Sequence, residues 1–97
     1  MKNEASWVYR ILGGAIEVAH ACMPEAAINI SGIPSAYDIA VGRREGDGFT
    51  QVASCTEKRE STASTLAQVA DFELAPFGKV ARVFNVFVDG KLYRQSS

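Results

Sequence analysis

Hydrophobic and polar positions suggest strands most clearly over residues 80–94, where two β-rich segments are joined by Asp89-Gly90. A two-residue type I′ turn requires positive φ at both central positions, which Asp and Gly tolerate. The dipeptide therefore predicts a tight β-hairpin. With this turn, the predicted cross-strand pairs are Val88 with Lys91, Val86 with Tyr93, and Phe84 with Gln95.

Both faces of this predicted hairpin are largely apolar. One face carries Phe84, Val86, Val88 and Tyr93, and the other carries Val83, Asn85, Phe87 and Leu92. A hairpin with one solvated face would alternate more cleanly, so we expect both faces to be covered. A single helix covers only one face. We therefore expect a second copy of the chain to cover the other, which predicts a homodimer through the sheet.

Segment 4–23 places most of its apolar residues on one half of a helical wheel. This segregation predicts an amphipathic helix lying on a core, and Pro24 ends it near Met23. Gly13-Gly14 weakens the prediction, because each glycine costs ~1 kcal/mol relative to alanine in a helix. One alternative stays open, in which 7–12 forms a short strand and a helix begins at Ala15.

The remaining apolar segments alternate with a period of two, which is typical of strands. The predicted strands cover 26–31, 37–41, 49–55 and 66–75, while the polar segment 56–65 predicts either a loop or a short capped helix. The expected fold class is α+β in two layers within a single domain, 1–97. One N-terminal amphipathic helix packs on an antiparallel sheet of about five or six strands.

Composition excludes some classes of partner. The chain has 97 residues, of which 47% are hydrophobic and 22% charged, and its net charge is −1. Nucleic-acid-binding proteins usually show a clustered basic excess, so no nucleic-acid partner is expected. No apolar run reaches the ~18 residues that a membrane-spanning helix requires, so no membrane association is expected either.

The number of cysteines bears on the cellular compartment in which the protein is expected. Cys22 and Cys55 are too few for a disulfide framework, and we expect both to be reduced thiols. Glu17 and His20 interrupt the apolar run that a secretory leader would need. The predicted location is the cytoplasm.

Motifs for catalysis or metal binding are weak. Glu17-x-x-His20 has the spacing that places a carboxylate and an imidazole on one helix face. A metal site needs three or four protein ligands, and His20 is the single histidine. We predict no catalytic residue, no metal and no cofactor, and whether the protein is an enzyme stays open.

Five polar or aromatic residues on or beside the predicted strands are the candidates for contact with a ligand: Tyr37, Asp38, Arg82, Asn85 and Tyr93. Asn85 and Asp38 stand out, because a buried polar side chain must be hydrogen-bonded and can mark a pocket. The favoured function is a small soluble non-catalytic binding or interaction module that acts as a homodimer. The alternative is a small-molecule-binding protein or enzyme with a pocket between helix and sheet, lined by Tyr37, Asp38, Asn85 and Tyr93.

Overall fold

Three strands, a helix and two further strands follow one another along the chain. The computed structural model describes Gly14, Glu17 and residues 21–34, 36–57 and 66–97. The elements are β1 (Ala26–Ile33), β2 (Ala36–Glu45), β3 (Gly48–Glu57), α1 (Leu66–Leu74), a 3-10 segment (Ala75–Val83), β4 (Asn85–Val88) and β5 (Lys91–Arg94). Helix and strands together make an α+β protein.

The five strands form one mixed sheet in the order β3-β2-β1-β4-β5. The pairs β1–β2, β2–β3 and β4–β5 are antiparallel, whereas β1 and β4 are parallel. Parallel neighbours cannot be joined by a tight hairpin and need a crossover connection. Helix α1 belongs to that crossover, which carries the chain from the β3 edge to the far side of β1.

The predicted fold class is wrong in two respects. Among the described residues, the helix packed on the sheet is α1, which follows three strands and does not precede the sheet. The sheet is mostly antiparallel, but the β1–β4 pair is parallel. Most of the predicted helix 4–23, including His20 and the alternative strand 7–12, lies outside the described residues, as does most of segment 56–65.

Segment 66–75 was expected to be a strand and is mainly helical. Its buried residues are Val69, Ala70, Glu73 and Leu74, and this spacing is that of one helix face. Phe72 is 63% exposed while the acidic Glu73 is buried, so the two side chains reverse the usual relation between polarity and burial. Because the exposed Phe72 is apolar and the buried Glu73 is polar, the apolar residues of this segment follow a period of two better than the helical period of 3.6.

One face of the sheet forms the main core with α1. The buried residues of this core come from every element except β3 and β5: Ala26, Ile28, Ile30, Tyr37, Ile39, Val41, Val69, Ala70, Leu74, Ala81, Phe84 and Val86. The register places Ile28 between Val41 on β2 and Val86 on β4. The helix therefore covers the centre of the sheet.

The second face of the sheet is also buried at its centre. Ala27, Ala40 and Phe87 lie there, and Phe87 is 0% exposed. The Phe87 and Phe49 rings are 5.5 Å apart, although β1 and β2 separate their strands. In a flat sheet, strands three places apart lie about 14 Å from each other. The sheet therefore curls towards this face, and the edge strands β3 and β5 approach each other.

Two β-bulges accompany this curvature. The β2–β3 register shifts between Val41 and Gly42, which leaves Val52 without a partner residue, and the β4–β5 register shifts between Val86 and Phe87. A bulge increases the local right-handed twist of a strand pair and bends it. The bulges lie on the two antiparallel pairs at the edges of the sheet.

The C-terminal hairpin confirms the turn prediction. Asp89 and Gly90 have φ values of 52° and 82°, as a type I′ turn requires. Val88 pairs with Lys91 as expected. The predicted pairing of Val86 with Tyr93 is wrong, because the bulge pairs Val86 with Arg94. The expected Phe84–Gln95 pair is absent from the described ladder, since β4 begins at Asn85.

Gly42 provides a test of this strand geometry. A Cβ atom at Gly42 would lie 1.9 Å from the backbone oxygen of Thr50, so the close approach of β3 to β2 depends on glycine there. We expect Gly42→Ala to lower the free energy of unfolding by about 3 kcal/mol, measured by urea denaturation.

Gly48→Ala is the matched control. Its new Cβ would lie 3.5 Å from the nearest non-neighbouring atom, an ordinary contact, so we expect a change within about 1 kcal/mol. Equal stability of the two variants would contradict the close approach at Gly42.

Candidate functional site

The five predicted site residues do not meet in one pocket. Tyr37 faces the core beneath α1, and Asp38, as its neighbour on β2, points to the opposite face of the sheet. Tyr93 is half exposed on β5. Arg82 and Asn85 lie three residues apart and line two neighbouring clefts. Only these last two share one region of the surface.

Tyr37 joins the sheet to the helix. Its side-chain hydroxyl donates a hydrogen bond to Oε2 of Glu73, and both residues are buried. Burying a carboxyl group is costly unless it is hydrogen-bonded, so this contact allows Glu73 to lie on the inner face of α1. The interaction links β2 to α1, which packs mainly against β1 and β4. Glu73 was not among the predicted residues.

Asp38 forms a cross-strand contact. It lies opposite Thr56 in the β2–β3 ladder and accepts a hydrogen bond of 2.5 Å from the Thr56 hydroxyl. Cross-strand pairs of this kind stabilise a sheet. The hydrogen bond to Thr56 therefore explains the polar residue at position 38 as part of the β2–β3 pairing.

Asn85 connects four segments of the chain and is 1% exposed. Its Nδ2 donates to the backbone oxygens of Pro24 and Ala26, each at 3.0 Å. Its Oδ1 accepts from Nη1 of Arg44 at 3.3 Å and from the backbone N–H of Ser96 at 3.1 Å. An amide has two donor hydrogens and two acceptor lone pairs, so these contacts use its full capacity.

A cleft of about 350 Å³ opens beside Asn85. Its lining residues are Pro24, Glu25, Arg44, Gly46, Asn85, Gln95 and Ser96. A second cleft, of about 320 Å³, includes Arg82 together with Asp71 and Arg94, which form an ion pair at 3.2 Å. Gln95 lines both clefts, so they are neighbours along the C-terminal residues.

The two edges of the sheet differ in length and charge. β5 has four residues and includes Lys91 and Arg94. These features protect an edge from pairing with another chain. β3 has ten residues, and none of residues 48–56 is charged. Side chains 50–54 are exposed, and within the described ranges no strand pairs with its outer side. This is the more accessible edge.

Other candidate chemistry finds little support in the part of the chain that is described. That part contains no group of three or more His, Cys, Asp or Glu residues able to hold a metal ion. No helix in it is long and apolar enough to cross a membrane. Cys22 is a free thiol, while the side chain of Cys55 lies outside the described atoms, so the expected reduced state of both stays a prediction.

The buried hydroxyl of Tyr37 can be tested by removing it. We expect Tyr37→Phe to lower the free energy of unfolding by about 1–3 kcal/mol, because the ring stays while Glu73 loses a hydrogen-bond donor. Thermal and urea denaturation measure this change.

Tyr93→Phe removes the hydroxyl group from a half-exposed tyrosine whose hydroxyl makes no hydrogen bond within the described residues. We expect its stability to stay within about 0.5 kcal/mol of the wild type. Equal losses in both variants would show that the Tyr37–Glu73 contact has no special role.

Comparisons with known proteins add no assignment. No protein-family model, curated protein or solved structure matches this chain. Fold class alone does not determine function. The function has to be inferred from the edge strands and the clefts themselves.

Proposed function

We propose that the protein is a non-catalytic interaction module that pairs with a second copy of itself through the edge strand β3. The observation that supports this most is the contrast between the two edges. β3 is long, exposed and uncharged over residues 48–56, whereas β5 is short and charged. An accessible edge strand is a template for pairing with another chain.

The exposed edge strand β3 supports a homodimer better than either face of the sheet does. Phe84, directly before β4, and Phe87, on β4, point to opposite faces of the sheet and are both buried within one chain. The uncovered apolar face that first suggested a dimer is therefore absent from the described structure. The proposal now rests on the open edge of β3, through which two five-stranded sheets would join into one.

A second copy is the partner that this strand fits. Antiparallel pairing about a two-fold axis places the same segment opposite itself, so a charged strand would oppose like charges. Residues 50–54 contain no charge and their side chains are exposed.

The proposed location is the cytoplasm. The free thiol of Cys22 supports it, since isolated thiols persist under reducing conditions. Alkylation of the non-reduced protein followed by mass spectrometry should modify both cysteines. A Cys22–Cys55 disulfide would contradict this location.

The dimer can be tested by placing a charge on the edge. Val52 is 62% exposed, so Val52→Lys leaves the core unchanged while setting two lysines close together at the proposed two-fold axis. Light scattering coupled to size exclusion should report about twice the 10.4 kDa chain mass for the wild type at micromolar concentration. The variant should elute as a monomer.

Tyr93→Lys is the matched control, because it adds the same charge to an exposed position on the opposite edge. It should remain a dimer. A monomeric wild type, or equal dissociation of both variants, would contradict the proposed role of β3.

A further inference from the structure

Two opposite charges line the cleft beside Asn85 without pairing. The backbones of Arg44 and Glu25 are in direct contact, because the backbone N–H of Arg44 donates a hydrogen bond of 2.6 Å to the backbone oxygen of Glu25. Both side chains line the cleft of about 350 Å³. Within the described residues, neither the guanidinium of Arg44 nor the carboxylate of Glu25 forms an ion pair. Both charges are therefore available to groups on another molecule.

The guanidinium of Arg44 is held in position by its own chain. Its Nε donates to the Gly46 oxygen at 2.7 Å, and its Nη1 donates to Oδ1 of Asn85 at 3.3 Å. A guanidinium has five N–H donors, so three remain after these two bonds. Because the side chain is half-buried and already oriented, binding a carboxylate would cost little additional ordering.

Glu25 supplies the complementary charge. It is half-buried in the turn before β1, and its side chain makes no hydrogen bond among the described atoms. A ligand that carried only an anionic group would approach this carboxylate at an electrostatic cost, and one that carried only a cationic group would approach Arg44 at a similar cost. A molecule that carries both groups satisfies both residues.

We infer that this cleft binds a small zwitterion of the amino-acid class, with its carboxylate on Arg44 and its ammonium group on Glu25. Gln95 and Ser96 line the same cleft and provide polar contacts. The volume of about 350 Å³ lies at the small end of the range for ligand pockets, as a free amino acid requires. The site does not involve β3, so it is independent of the proposed dimer.

Titration followed by two-dimensional amide NMR tests this binding with L-serine, L-alanine and L-leucine as probes. At least one of them should cause saturable shifts in the amide signals of Glu25, Arg44 and Ser96. Acetate and methylammonium each carry one of the two charges, so each should bind about tenfold more weakly. Absence of saturable shifts with all three amino acids, or equal affinity for acetate, would overturn the inference.

Three substitutions identify the residues responsible. Arg44→Gln and Glu25→Gln should each weaken amino-acid binding about tenfold, since each removes one charged contact. Arg43→Gln is the control, because Arg43 is exposed on the neighbouring position of β2, which points to the other face of the sheet.

Unchanged amide spectra away from the cleft verify that each variant is folded. Glu25→Gln is nearly isosteric, and the Glu25 side chain forms no hydrogen bond or ion pair within the described residues, so this variant tests the site even if Arg44→Gln lowers stability. Wild-type affinity in both cleft variants, or equal weakening by Arg43→Gln, would exclude the site.

Discussion

The buried amide of Asn85 is the interaction on which the arrangement of the chain most depends. From β4 it binds residues 24–26 at the start of β1, the end of β2 and the C-terminal residues after β5. These segments lie far apart in the sequence, and β1–β4 is the parallel pair that no tight turn can hold together. A side chain that uses two donors and two acceptors fixes the position of this pair, and it also orients Arg44 in the adjacent cleft.

A second constraint is that both faces of the sheet must be buried at their centre, while the described residues contain only one helix packed on the sheet. Helix α1 covers one face, and the Tyr37–Glu73 hydrogen bond sets its position. On the other face, the sheet curls until Phe49 reaches Phe87. Gly42 allows β3 to approach closely enough at the bulge for this curvature. The strand order leaves β3 at one edge of this curled sheet, with side chains 50–54 exposed.

The turn of the C-terminal hairpin could be predicted from the sequence, whereas features that depend on a bulge or on distant partners could not. Asp89-Gly90 predicted its turn because the backbone requirement is local. The prediction of a strand over 66–75 was wrong, because Glu73 lies on the buried helix face and is hydrogen-bonded to a residue 36 positions away. Thr65-x-x-Gln68 matches the capping-box pattern and would have favoured a helix. Asn85 is buried and hydrogen-bonded, as a polar residue within a core must be, but its partners depend on pairings between distant segments that no local pattern contains.

The stability of an Asn85 variant tests this account most directly. Asn85→Ala would leave the oxygens of Pro24 and Ala26 and the N–H of Ser96 without their partner, so we predict a loss of about 3 kcal/mol in the free energy of unfolding. Asn29→Ala is the comparison, because Asn29 is also a strand asparagine, and among the described residues its side chain bonds only Ser31 and Gly90, near the surface. It should lose about 1 kcal/mol or less. If urea denaturation gave equal, small losses for both variants, the Asn85 amide would not be what holds these four segments together.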